Sequence, residues 1–183
     1  MPRYSSAEIT RNLAAAVRFF QRHRLRYALI GGMALSVWGR PRTTLDLDFL
    51  VQVDEEKLLK IREWVLKEGL KIDNTWVESN PLMARVQLRL RFGQVMVDML
   101  IPRDAHDRNA FHRRKRKNMG RGSYWLIAPE DFILQKLKVG RPRDFEDAVT
   151  VLERLRGELD TSYLMRWARR LAITGELKYI LEL

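Results

Sequence analysis

Apolar and polar positions along the chain change period several times, and each change marks an element. After Ser5-Ser6-Ala7-Glu8, a capping-box string, Ile9, Leu13, Ala16, Val17 and Phe20 recur at helical spacing and predict an amphipathic helix to about His23. Tyr27 to Ile30 reads as a short buried strand and Met33 to Trp38 as a helix, with Gly31-Gly32 at the turn between them. In Leu45-Asp46-Leu47-Asp48-Phe49-Leu50-Val51 the period is two, so Asp46 and Asp48 share one face of a strand. Asp54 caps a helix over residues 55–67, with Leu58, Leu59, Ile61, Val65 and Leu66 apolar and Gly69 as its stop. Val86 to Phe92 alternates again, Gly93 and Gln94 turn the chain, and an apolar strand to Ile101 carries a lone acid, Asp98; together they predict a hairpin. Tyr124 to Ile127 adds a short strand, and the remainder reads as helices over Ala128–Val139, Pro142–Leu155 and Thr161–Ala172.

Three of these features carry chemistry. A strand-to-helix turn made of glycine lets backbone approach a ligand, and the unpaired N–H groups that open the following helix suit a triphosphate. Gly31 and Gly32 are therefore candidate phosphate-approach residues, although such a turn also serves tight packing alone. Asp46 and Asp48 repel each other unless a cation lies between them, and hard oxygen ligands of this kind suit Mg²⁺ bound together with substrate phosphates. A pairing of Asp46 with Arg42 is the plainer alternative. If the strand of Asp98 abuts that of Asp46 and Asp48, the three carboxylates are a ligand set for two metal ions about 3.5–4 Å apart, the arrangement used for in-line phosphoryl displacement. Asp98 could also take the proton of an acceptor hydroxyl, while Arg42 could neutralise developing phosphate charge.

These residues resemble the nucleotidyltransferase superfamily, specifically the small bacterial AbiEii-type group, whose pattern is Gly-Gly or Gly-Ser, a spacer, Asp-x-Asp, and then a lone strand aspartate. Arg40-Pro41-Arg42-Thr43-Thr44-Leu45-Asp46-Leu47-Asp48 is similar to that group's run into its acid pair, and Ala128 to Leu137 followed by Arg141-Pro142-Arg143-Asp144-Phe145-Glu146-Asp147 is similar to its downstream lysine and aspartate motif. The resemblance implies an α+β fold, a small mixed sheet flanked by helices with a C-terminal helical tail. It divides the chain into a core over 1–127 and a helical extension over 128–183 that completes the site. It implies that Lys136 contacts the nucleotide, that Asp144 helps form the site, and that the activity can serve as the toxin of a toxin–antitoxin pair with a cognate antitoxin as partner. Where Gly-Ser members offer a hydroxyl, this chain has Gly32, which leaves backbone N–H groups or Ser36, one turn on, to meet the phosphates.

Composition narrows the remaining choices. At 183 residues with 46% hydrophobic content the chain fits roughly one domain with a buried core, and its lack of cysteine excludes disulfides and thiolate metal sites. No run reaches the length of a membrane span, and the start Met1-Pro2-Arg3-Tyr4-Ser5 has no apolar signal core, so a soluble cytoplasmic protein without membrane contact is expected. With 34 Lys and Arg against 23 acids the net charge is +11, densest at Arg113-Arg114-Lys115-Arg116-Lys117, reached through Arg103 and Arg108 and followed by Arg121. Such a tract can displace counterions from a nucleic-acid backbone, or can simply be a solvated helix face or loop. His23, His106 and His112 show no metal spacing. The expected function is Mg²⁺-dependent transfer of a nucleoside monophosphate from an NTP to an acceptor hydroxyl, with RNA, for instance a tRNA end, as the first choice of acceptor. The competing expectation is a non-catalytic protein of the same fold that binds nucleic acid or a partner.

Overall fold

The computed structural model describes residues 5–120 and 122–183; the first four residues and Arg121 of the basic tract lie outside the described residues. Helix α1 (Ser6–Arg22) opens on the expected capping box, Ser5 accepting from the Glu8 amide while Glu8 reaches back to the Ser5 backbone. Strand β1 (Tyr27–Leu29), helix α2 (Gly31–Trp38), strand β2 (Asp46–Val51) and helix α3 (Glu55–Lys67) follow. Next come β3 (Lys71–Ile72), α4 (Asn74–Ser79), the hairpin β4 (Gln87–Phe92) and β5 (Val95–Leu100), and α5 (Ala105–His112). A second hairpin, β6 (Lys115–Met119) and β7 (Gly122–Leu126), leads to α6 (Pro129–Val139), α7 (Pro142–Arg154), α8 (Thr161–Leu171) and α9 (Thr174–Leu181).

The strands form one mixed sheet in the order β3-β4-β5-β2-β1-β7-β6. Its centre places the chemistry. β2 runs antiparallel to β1 and parallel to β5, with Asp48 directly opposite Asp98, and β5 is antiparallel to β4 in the predicted hairpin. Phe92 pairs with Val95, so Gly93 and Gln94 form a two-residue loop, and Gly93 takes the positive φ of +60° that such a loop requires.

Alternation divides the sheet into two unlike faces. Leu47, Phe49, Val97, Met99, Leu88 and Leu90 are buried on one side with α1 and α3, where the ring of Phe20 meets that of Phe49 edge-on at 4.8 Å. On the other side Leu50 and Ala28 pack with Phe111 of α5, and the same face carries Asp46, Asp48 and Asp98. The fully buried apolar residues thus fix the register, because a slip of one residue would turn the acids into the core. The apolar cluster continues through Phe132, Leu137, Val151, Leu164 and Leu177, so the C-terminal helices share the core of the strands.

The elements β3, α4, α5, β6 and α9 exceed the expected set. The basic tract thereby departs from the helix-or-loop expectation. Arg113 ends α5, and Lys115, Arg116 and Lys117 stand on β6, an edge strand with exposed side chains. Among the described residues no helix is long and apolar enough to cross a membrane.

Candidate active site

The cleft over the acid-bearing face has a volume of about 980 Å³ and is lined by the α2 turn, the approach to β2, the β4–β5 hairpin and residues of α6 and the start of α7. Ligand oxygens of Asp46, Asp48 and Asp98 all lie within 4.8 Å of one another. Alternation sets Asp46 and Asp48 on one face, and the parallel pairing of β2 with β5 brings Asp98 beside Asp48.

Gly31 has φ +57°, and a Cβ there would come within 1.9 Å of Asp48 Oδ2. The glycine turn is thus dictated by the acids as well as by any ligand: no side chain fits between the start of α2 and the Asp48 carboxylate. Gly32 is confined by Thr44, whose Cβ would be 2.7 Å from an added Cβ. Thr44 in turn donates its hydroxyl to Asp46 Oδ1 and to the Asp46 carbonyl, both at 3.0 Å, and so orients the first acid. Ser36, by contrast, donates to the Met33 carbonyl at 2.7 Å within its own helix and is not among the residues that line the cleft.

Charge is distributed unevenly. Burial, then Asp46, then Asp98 push the Asp48 carboxyl up to about 7 from its ordinary 3.8. Among the described residues neither Asp46 nor Asp48 has an ion pair, whereas Asp98 is gripped by Arg89, Nε to Oδ1 at 2.8 Å and Nη2 to Oδ2 at 2.6 Å. On the opposite wall Lys136 Nζ lies 2.7 Å from Asp144 Oδ1 and 2.8 Å from Asp147 Oδ2. Arg42 forks onto Asp147 with both contacts at 2.9 Å, so its partner is Asp147 and not Asp46. Burial favours a neutral Asp147, but the hydrogen bonds from Arg42 and Lys136 outweigh it and hold this carboxyl below its usual range. Arg141 and Arg143 also line the cleft; Arg141 is mostly exposed and only 3.7 Å from Asp144.

Asp46, Asp48, Asp98, Lys136, Asp144, Gly31, Gly32 and Arg42 are accordingly gathered around one cleft. Sequence reasoning missed Arg89, Asp147, Thr44 and Trp76 as members of the site. Arg89 had a usable signal, because it lies opposite Asp98 across the two-residue loop; Trp76, on the short α4, left no periodic one. The chemistry of the acid set fits a divalent cation: three oxygen donors converge, and the hindered ionisation of Asp48 is the effect a cation at Asp46 and Asp48 would relieve. In a second group, Asp104, His106 and Asp107, the two aspartates already hold the ammonium of Lys138, and Asp104 also caps α5 by accepting from the Asp107 amide.

The order of elements around this cleft has counterparts among solved structures. The lincosamide antibiotic adenylyltransferase LnuA in its lincomycin-bound form superimposes with TM-score 0.54 at 16% identity, over 77% of this chain and 94% of that one. A nucleotidyltransferase-like protein from Paracoccidioides brasiliensis gives 0.54 at 17%, over 95% and 94% of the two chains. The antibiotic-resistance factor ANT(2'')-Ia gives 0.58 at 13%, over 96% and 98%. The fold is that of the nucleotidyltransferases. At such identities the likeness shows the architecture, an open mixed sheet with flanking helices, as the resemblance in sequence implied. No protein-family model matches the sequence. A search of characterised proteins likewise returns no match. In this chain the two parallel strands beside the α2 turn, β2 and β5, each carry a carboxylate opposite the other, Asp48 and Asp98.

The basic tract does not form one surface. Arg113 is drawn inward to Asp131 at 3.0 Å and Glu130 at 3.1 Å, and Arg114 lies over the rings of Phe111 and Trp125. Lys115, Arg116 and Lys117 remain on the exposed edge, where charged side chains also guard an open strand against pairing.

Proposed function

We propose that this protein is a metal-dependent nucleotidyltransferase that moves a nucleoside monophosphate from an NTP to an acceptor hydroxyl. The meeting of Asp46, Asp48 and Asp98 beside the glycine turn, facing Lys136 and Arg42, is the observation that carries the reading. Asp46 and Asp48 would hold Mg²⁺ and Asp98 would complete the ligand set; the metal supplies Lewis-acid stabilisation of phosphate charge. The α2 amides at Gly31 and Gly32 offer hydrogen bonds to the triphosphate, and Lys136 and Arg42, each already fixed by Asp147, stand preorganised for charge that builds on the phosphates. The acceptor oxygen forms a bond to the α-phosphorus as the bond to the β-phosphate oxygen breaks. Pyrophosphate leaves, and the hydroxyl proton passes to Asp98. Asp144 contributes by orienting Lys136, and residues 128–183 act as the extension that completes the site.

The AbiEii-type assignment, RNA as acceptor, and service as a toxin restrained by an antitoxin complete the proposal; the net charge of +11 and the exposed cations of β6 support the RNA choice. The bidentate Arg89–Asp98 pair is the one feature that favours a non-catalytic binding protein instead. Incubation with each of the four NTPs, Mg²⁺ and total RNA should release pyrophosphate and label RNA, and Asp46→Ala with Asp48→Ala should abolish both. Label confined to polypeptide would remove RNA from the proposal; no pyrophosphate with any acceptor would remove catalysis.

A further inference from the structure

Arg89 and Asp98 face each other across the β4–β5 hairpin, so their ion pair is built into the register. Each oxygen of Asp98 accepts one of its two hydrogen bonds. The three acids are therefore not equivalent: among the described residues Asp46 and Asp48 have no ion-pair partner, while Asp98 already has one. The Arg89 guanidinium also lies 5.5 Å from the ring centroid of Trp76, and both side chains line the cleft. Lys136 and its acids occupy a separate cluster from α6 and α7, leaving the β4 side for the group that attacks.

We infer that Arg89 is a built-in counter-ion of Asp98 that selects the acceptor: it screens the third carboxylate from a second cation until an anionic group on the acceptor draws the guanidinium off it. An amine-rich acceptor gains nothing from a carboxylate that is already neutralised, and meets a like charge. A phosphate next to the attacking hydroxyl, as at the end of a polynucleotide, exchanges one bidentate partner of Arg89 for another of the same kind. This rests on the nucleotidyl-transfer reading, and extends it to the residue that selects an anionic acceptor over a cationic one.

The test needs no turnover. Mn²⁺ is counted by electron paramagnetic resonance on the full chain without acceptor, in wild type, Arg89→Met and Arg89→Lys, each checked for a cooperative melt. Wild type should hold one tight ion and Arg89→Met two, with Arg89→Lys, which keeps the charge but not the fork, binding the second ion at intermediate strength. Under chelator, Arg89→Met should bind a short single-stranded oligoribonucleotide about tenfold more weakly and tobramycin about tenfold more tightly, the scale of one charge-assisted hydrogen bond. Equal ion counts in wild type and Arg89→Met, with pyrophosphate release intact in wild type, would overturn the inference alone. An oligonucleotide affinity indifferent to Arg89 would do the same. Absence of any bound ion in all three proteins would overturn both the inference and the reading beneath it.

Discussion

Replacing Asp48 by Asn should stabilise the metal-free protein at pH 8 while destroying its response to Mg²⁺. Burial, with Asp46 and Asp98 adding to it, lifts the Asp48 carboxyl from 3.8 to about 7. A carboxyl whose folded value is raised binds its proton more tightly folded than unfolded. Its contribution to stability is complete below about pH 4 and is lost as pH rises through about 7. A change of that size corresponds to about 4 kcal/mol between the two limits, at about 1.4 kcal/mol per tenfold shift in proton affinity. Asn mimics the protonated form and carries no such penalty, so the two proteins should melt close together near pH 4. At pH 8 in chelator the variant should melt roughly 8–16 °C higher, at about 2–4 °C per kcal/mol for a chain of this size. Adding Mg²⁺ at about 100 times its Kd should raise the wild type by about 2.7 kcal/mol and leave the variant unmoved. The assay is thermal unfolding by circular dichroism from pH 4 to 8.5, with chelator or Mg²⁺. Wild type melting above Asp48→Asn at pH 8 in chelator would refute the claim that uncompensated acids meet at this site.

Other substitutions probe the remaining walls of the cleft. Gly31→Ala puts a methyl within 1.9 Å of Asp48 Oδ2 on a backbone at φ +57°; it should cost at least about 1–3 kcal/mol in denaturant unfolding and abolish the Mg²⁺-dependent shift. Among the described residues, Lys136→Met leaves Asp144 with only the 3.7 Å contact to Arg141 and Asp147 with only its Arg42 fork, which should lower stability by up to about 3–5 kcal/mol in urea unfolding at neutral pH. Because the Asp147 carboxyl is held below its usual 3.8, the difference from wild type should be full above about pH 4 and shrink as pH falls further, as urea titrations at pH 3 and pH 7 would reveal. Changing Lys115, Arg116 and Lys117 together to Ser should flatten the salt dependence of RNA binding, by about 0.7 in log–log slope for each phosphate that the variant no longer neutralises, with the melting temperature nearly unchanged.

Much of this site is written into short-range pattern. Period-two alternation sets Asp46 and Asp48 on one face, and a two-residue loop brings the strand of Asp98 back along that of Arg89. What alternation cannot supply is which strands become neighbours: β2 joins β5 in parallel only because residues 55–86, with α3, β3 and α4, carry the chain across to the other edge. Arg89 was legible but unread: counting back across the two-residue loop of the predicted hairpin sets it opposite Asp98, whereas alternation alone makes it a solvated position. The basic tract misled in the opposite sense. Five adjacent cations suggest one surface, yet Arg113 at the end of α5 reaches the acids that open α6, a tertiary pairing with no local signature.

The arrangement of charge explains why the ligands of the proposed reaction would need each other. On one side Asp46 and Asp48 stand without an ion-pair partner among the described residues; on the other Lys136 and Arg42 are already matched by Asp144 and Asp147, with Arg141 and Arg143 left at the rim. A divalent ion alone satisfies the acids but adds positive charge beside four cationic side chains. A triphosphate alone suits the rim and the α2 amides but brings its anionic oxygens against Asp46 and Asp48. Each ligand cancels the penalty the other meets, and the coupling is necessarily reciprocal. Arg89 enters this exchange from the β4 side: it is paired with Asp98 and its charge also eases the ionisation of Asp48, so an anionic acceptor that drew it away would leave more negative charge for the divalent ion to neutralise.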